Sequence, residues 1–302
     1  MREVLILQFS FFVMIALGFM TRRLGIVSPK GQKEITDLIV DVILPCNILA
    51  SFMAEVPSTA LRDGLVVLLA SIGNQIMAPF YGRLVFKNQS EDRLRSLRYG
   101  FVCSNAGFLG TAVVEGVFDA LGLLLASIFV IPQRIMVWTE GVAIYSGERD
   151  WRAALKKTAT HPCVITCFIG LGIMLLHIPV PELIRRPLQT VGRCNTAMAM
   201  MMVGMILGGV DLRTVWDKIL LRFSLHRLVI IPAIMYLVLT LLQVSPTARG
   251  VAVLLTAMPA GATTTILAAK YNREPEFAAR MVALSTLLSA PAMFLWSLLV
   301  TV

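Results

Sequence analysis

The sequence predicts an all-α membrane protein whose ten transmembrane helices fall into two inverted five-helix repeats, with the fourth and ninth helices broken. Three observations carry that expectation. The 302 residues are 57% apolar and only 15% charged, with a mean hydropathy of +0.78, against roughly 25% charged in a soluble domain. Asn105-Ala106-Gly107-Phe108-Leu109-Gly110-Thr111 and Pro259-Ala260-Gly261-Ala262-Thr263-Thr264-Thr265 superimpose at a constant offset of 154 residues, and both interrupt apolar runs. Lys and Arg gather in alternate connections between those runs.

Apolar runs without strand-like alternation place spans near 4–21, 35–53, 62–84, 98–118, 121–145, 160–178, 188–209, 219–243, 249–269 and 279–300. The first follows Met1-Arg2-Glu3 and runs into Arg22-Arg23 without a small-residue cleavage site, so it is expected to be a permanent span. The second holds Asp37, Asp41, Pro45 and Asn47, the third Asn74 and Gln75, the fourth Asn105 and Glu115, and the fifth Arg134. Such residues lower the local hydropathy where helices face one another. The sixth carries Cys163 and Cys167 one turn apart, with no His or carboxylate at ligand spacing, which favours packing over a metal site. None of the five cysteines implies a disulfide framework, since all lie in or beside apolar spans. The repeat extends beyond the breaks: Leu17-Gly18-Phe19-Met20 falls on Leu171-Gly172-Ile173-Met174, and Asp41 on Asn195. Five spans per half is an odd number, so the second half enters the bilayer the other way up. The expected organisation is a first repeat over 1–147, a short cytoplasmic linker over 148–158 and a second repeat over 159–302.

Twenty of the 27 Lys and Arg fall in the connections after the odd-numbered spans, six lie on the opposite side, and Arg134 is inside a span. The positive-inside rule then puts both termini outside the cytoplasm. The same dispersal argues against nucleic acid as a partner despite the net charge of +9. His161, His177 and His226 sit near span ends, where the polar interface solvates an imidazole. The chain has no Walker-type loop, no His-Glu-x-x-His and no Gly-x-Ser-x-Gly, so neither ATP-driven transport nor hydrolase chemistry finds its usual parts, and no cofactor is expected.

Asn105 and Gly107 tolerate backbone conformations that a regular helix forbids, and Pro259 removes an amide donor just before Gly261. Each break leaves a helix N-terminus worth roughly +0.5 of a charge, with free amides directed to the membrane centre. Two such ends facing one cavity attract an anion. Thr263 and Thr264 stand in the first turn of the second half-helix, with Thr111 matching them in the first, where hydroxyls either cap amides or meet a ligand oxygen. Arg134 costs about 2.5–3.5 kcal/mol in mid-span, so it either forms an ion pair with Glu115, Asp41 or Glu140 or faces a substrate carboxylate, with Gln133 adding a neutral donor. Asp37, Asp41, Asn47 and Asn74 are candidates for coupling, or for interhelical hydrogen bonds. Glu115 lies about 15 Å beyond Asn105 along a helix, which suits a gate.

Leu44-Pro45-Cys46-Asn47, Asn105-Ala106-Gly107-Phe108-Leu109-Gly110, Ile131-Pro132-Gln133-Arg134 and Ala257-Met258-Pro259-Ala260-Gly261-Ala262-Thr263 resemble the auxin efflux carrier family, including its bacterial permeases for malonate and other carboxylates. The resemblance spans the chain. It implies crossing fourth and ninth helices like those of bile-acid symporters and sodium/proton antiporters, a scaffold from helices 1, 2, 6 and 7, a mobile part from the rest, and a homodimer. It also implies substrate binding near Asn105, Gly107, Pro259 and Gly261, with Arg134 following the bacterial branch; Phe108, between the Gly107 and Gly110 of the first motif, is a further substrate-binding candidate. The connection over 146–158 is too short for the large hydrophilic loop of the plant carriers, which points away from auxin.

The expected function is therefore a secondary carrier that moves a small organic anion, a carboxylate, across the bacterial inner membrane by elevator-like alternating access. A sodium- or proton-coupled symporter or antiporter of the bile-acid type and a non-transporting membrane sensor remain as alternatives.

Overall fold

A computed structural model describes residues 2–54, 59–147, 152, 156, 159–211 and 213–301, and every regular element among them is a helix. Apart from Arg152 and Lys156, the expected linker over 148–158 lies outside the described residues.

Helix α1 (Arg2–Arg23) follows the first apolar run and ends on two arginines, whose charge complements the negative end of the helix dipole. The next rod begins with Ser28, whose hydroxyl accepts from the Gly31 amide, and Pro29 in the first turn. It comprises α2 (Pro29–Leu38), a π-helical turn over Ile39–Ile43 and α3 (Leu44–Phe52). Pro45 explains the wide turn: it donates no amide bond and its ring crowds the carbonyl four residues back, so one extra residue is accommodated there. Helix α4 (Ala60–Val85) is continuous through Pro79. Helix α5 (Glu91–Val102) stops short, a 3-10 turn covers Asn105–Gly107, and α6 (Leu109–Trp138) resumes. The expected boundary between the fourth and fifth spans is a kink inside α6, at Phe118 and at Asp119 with φ 53°, rather than a loop. Helix α7 (Glu140–Ser146) follows.

The second half runs through α8 (Pro162–Leu175), α9 (Glu182–Gly192) and α10 (Cys194–Gly208). Helix α11 (Lys218–Leu225) passes through a second π turn, His226–Ile230, into α12 (Ile231–Leu241). A proline again follows the wide turn, here Pro232. The carbonyl of Leu228, four residues earlier, accepts instead from Trp296 Nε1 at 2.8 Å. Helix α13 (Pro246–Thr256), α14 (Thr263–Lys270) and α15 (Pro275–Thr301) complete the chain, so the expected ninth span is two short helices.

Among the described residues six rods are long and apolar enough to cross a bilayer: Pro29–Phe52, Ala60–Val85, Leu109–Val137, Glu182–Gly208, Lys218–Leu241 and Pro275–Thr301. Their outer faces carry exposed Leu65, Leu69, Ile76, Phe80, Leu237 and Leu241, as lipid-facing helices do. The protein is thus an all-α, multi-pass membrane protein.

Small residues let two pairs of rods approach closely. A Cβ on Gly204 of α10 would lie 1.9 Å from the Ile15 carbonyl oxygen of α1, and one on Gly18 would lie 1.9 Å from the Met201 carbonyl oxygen. Between α3 and its neighbours, Gly170 of α8 is covered by the Phe52 ring and Gly192 at the end of α9 by Asn47. Lipid supplies no hydrophobic drive for helix association, so such backbone approach is what gives van der Waals contact. We expect Gly204→Val to lower the melting temperature in detergent sharply, by the equivalent of about 1–3 kcal/mol or more. Gly73→Ala, where nothing lies within 4 Å of the added methyl, should be neutral or stabilise by up to about 1 kcal/mol. Equal melting of both variants would refute the close packing of α1 on α10.

Candidate functional site

Residues 103–108 and 257–262, where the α-helices are interrupted, are separated by the same 154 residues as the sequence motifs, and they lie side by side. Ser104 and Ala260 form an antiparallel bridge, flanked by Asn105 N donating to Pro259 O and Gly261 N donating to Cys103 O, each at 2.8 Å. Residues paired in this way ordinarily exchange two bonds. Pro259 has no amide to return, and the Asn105 carbonyl accepts from Phe108 N at 3.4 Å instead. The Ala260 amide donates to Ser285 Oγ of α15 at 3.3 Å. Side chains strengthen the junction. Gln133 of α6 donates from Nε2 to the Ser104 carbonyl at 2.6 Å and accepts from Ser104 Oγ at 3.3 Å, and Cys103 Sγ contacts Thr263 Oγ1 at 2.8 Å.

Both breaks open on a cavity of about 490 Å³, within the roughly 300–1,000 Å³ usual for small-molecule sites. Asn105, Gly107 and Phe108 from the first break and Gly261, Ala262 and Thr263 from the second line it, so the N-termini of α6 and α14 both border the same space. Opposite them stand Lys33, Thr36 and Asp37 of α2, and Gln133 and Arg134 of α6 with His161 at the start of α8. The Asn105 side-chain amide has no hydrogen-bond partner among the described residues. Arg134 folds against Gly107, where an added Cβ would lie 3.4 Å from its Nη2.

Arg134 Nη1 lies 2.7 Å from His161 Nε2, while His161 Nδ1 lies 3.2 Å from the Cys163 amide. A neutral imidazole accepts at one nitrogen only, so the shorter contact puts the ring proton on Nδ1 and makes Arg134 the donor. Among the described residues no carboxylate is within 4.0 Å of the Arg134 guanidinium; of the two alternatives, the ion pair with Glu115, Asp41 or Glu140 does not form, and Glu140 approaches Arg98. The cavity thus presents the cations of Lys33 and Arg134 against the single carboxylate of Asp37, beside two positive helix ends. Electrostatically it is suited to an anion.

The remaining candidates lie elsewhere. Pro259 offers the cavity no side chain and acts through its carbonyl. Thr111 is buried, donates to the Phe108 carbonyl at 2.9 Å, and reaches only a small void of about 10 Å³ beneath Gly107 and Arg134. Thr264 is buried on the other side of α14, where its carbonyl accepts from Tyr145 Oη at 3.4 Å. Asp41 is exposed, and Asn74 is buried between α4 and α12. Asn47 and Glu115 meet in a separate cavity of about 360 Å³ bordered by Asp119 and Arg193. There Glu115 Oε2 accepts from Asn47 Nδ2 at 2.8 Å, Thr196 Oγ1 at 3.2 Å and Asn195 Nδ2 at 3.5 Å. Sequence reasoning left out Lys33 and Ser104 and read His161 as an interfacial side chain. Its position 27 residues after Arg134 gave no hint of contact.

A family model described as membrane transport protein matches the chain twice, over residues 4–151 and 149–297. No curated protein matches it.

Gly261 tests the junction directly, since an added Cβ would fall 2.8 Å from Cys103 Sγ and 3.3 Å from the Cys103 carbonyl oxygen. Gly261→Val should force the two segments apart and expose Cys103, which is buried in the native protein. Site-resolved maleimide labelling read by mass spectrometry should find Cys103 protected in the wild type and modified in the variant. Unchanged protection would argue against the pairing.

Proposed function

Because the chain belongs to the membrane transport protein family, that of the auxin efflux carriers, we propose that it is a secondary carrier for a small organic anion, a carboxylate of the kind moved by the short bacterial permeases. The observation that carries this reading is Arg134, a guanidinium in a cavity between two helix N-termini with no carboxylate partner among the described residues. A half-buried cation at membrane depth is costly unless an anion arrives to pair with it. A substrate carboxylate would take Arg134 as a bidentate donor, with the Asn105 side-chain amide and the backbone of Gly107 completing its shell.

We read α5 together with the part of α6 before the Phe118–Asp119 kink as one interrupted crossing, the rest of α6 as the next, and α13–α14 as the second interrupted one, which brings the crossings to ten in two inverted repeats. The double family match, the antiparallel pairing of equivalent segments and the matched packing of α1 on α10 and of α3 on α8 support that arrangement. In this reading the cavity opens at the Lys33 end, on the side rich in Lys and Arg and hence cytoplasmic. Glu115, held by Asn47, Asn195 and Thr196, closes the opposite end, and the elements bearing the breaks move past the α1–α10 and α3–α8 pairs to exchange the openings. The two termini lie outside the cytoplasm of a bacterial inner membrane.

Liposomes containing the purified protein should show saturable uptake of at least one of malonate, malate or a related carboxylate. Arg134→Gln should reduce transport efficiency by about tenfold or more, the loss of one charge-assisted bond being worth ~1.4 kcal/mol or above. Asn105→Leu should abolish uptake while the variant still inserts and elutes as a single species. Absence of saturable flux for every anion under every ion gradient would overturn the reading, and wild-type flux in both variants would move the substrate away from these residues.

A further inference from the structure

Arg227 is the largest fully buried side chain, at 1% exposure. It projects from the π turn His226–Ile230. Its Nε donates to the Met258 carbonyl at 2.9 Å and its Nη1 lies 3.4 Å from the Phe101 carbonyl. Phe101 is in the last turn of α5, and Met258 is in the unwound segment that follows α13. The guanidinium therefore bridges the carbonyl ends of both interrupted helices, on the side of the junction opposite to the amide ends that border the cavity. Among the described residues no carboxylate pairs with it.

Unwound carbonyls and half-helix C-termini at such breaks are where ion-coupled carriers coordinate a free cation. Each C-terminus carries roughly half a negative charge, and two converging in a low-dielectric interior call for a positive one. We propose that Arg227 is a tethered counter-cation that permanently fills this place, so that the carrier moves its anion without a sodium ion. The inference rests on the transport reading for its flux consequence, while the occupancy itself concerns only the carbonyl ends. It also accounts for the wide turn: the extra residue before Pro232 rotates Arg227 inward from a helix whose neighbours Val229 and Leu225 face outward, both exposed. Arg227 is one of the twenty Lys and Arg that the sequence assigns to the connections after the odd-numbered spans, and its burial sets it apart from them.

Two measurements test the proposal. In proteoliposomes, wild-type anion flux should be the same when sodium is replaced by choline at equal ionic strength; flux that requires sodium would overturn the proposal. In detergent, the wild type should melt at the same temperature in sodium and choline salts. Arg227→Ala should melt several degrees lower and recover on addition of millimolar guanidinium, which fits the space the side chain leaves, but not of choline. Arg227→Lys, which retains a cation, should melt closer to the wild type than Arg227→Met, and this pair serves if the alanine variant does not fold. Arg227→Ala or Arg227→Met melting as the wild type does without added cation would overturn the assignment. If no anion moves in the wild type while the melting pattern holds, the substrate reading fails and the tethered cation stands.

Discussion

Two backbone hydrogen bonds between segments that are not α-helical, from Asn105 N to Pro259 O and from Gly261 N to Cys103 O, are the constraint on which the architecture turns. In hydrocarbon an unpaired peptide group costs several kcal/mol, so a helix cannot simply stop at mid-depth. Each interrupted helix satisfies the other here. The residue types follow from that. A second side chain at Gly261 would occupy the space of Cys103. Pro259 supplies an acceptor without demanding one. Ser285 and Gln133 serve the groups that the short bridge cannot reach. With the backbone so accounted for, the ends of α6 and α14 are free to face a cavity.

Charge in the interior is handled in three distinct ways. Glu115 is surrounded by neutral donors from three other positions, Asn47, Asn195 and Thr196, which stabilise a carboxylate without a cation. Arg227 is satisfied by carbonyl oxygens and the dipoles behind them. Arg134 donates to a neutral imidazole and retains unpaired charge toward open volume. Only the last arrangement leaves an electrostatic deficit that a ligand can fill, and this distinguishes a binding cation from a structural one in the same molecule.

Much of the site was legible before any coordinates. The offset between the Asn105 and Pro259 motifs located both breaks, because Gly and Pro act locally on the backbone and their effect can be read without knowing the neighbours. Glu115 was placed away from the break by helix rise alone, and it lies in a different cavity from Asn105. Side-chain destinations were less legible. Thr264 sits one residue from Thr263, yet a step of 100° around the helix turns its side chain away from the cavity into the interior. Gln133 looked like a ligand donor and is consumed by Ser104. His161 and Arg227 looked peripheral because apolar runs have diffuse ends, and hydropathy averages over the faces that burial distinguishes.

By itself the sequence determined the membrane class, the all-helical secondary structure and the position of the paired interruptions, since composition, apolar run length and the Gly and Pro dihedral restrictions are properties of contiguous residues. Tertiary structure alone decided that the two interruptions bond to one another, that Arg134 meets His161 rather than a carboxylate, and that Arg227 turns inward to their carbonyl ends. Those outcomes depend on which rotation each helix adopts against partners on other helices, 27 residues away for Arg134 and His161 and more than a hundred for Asn105 and Pro259. In lipid that rotation is set by small-residue contacts such as Gly204 on Ile15 and by the satisfaction of individual polar groups, which no local pattern encodes.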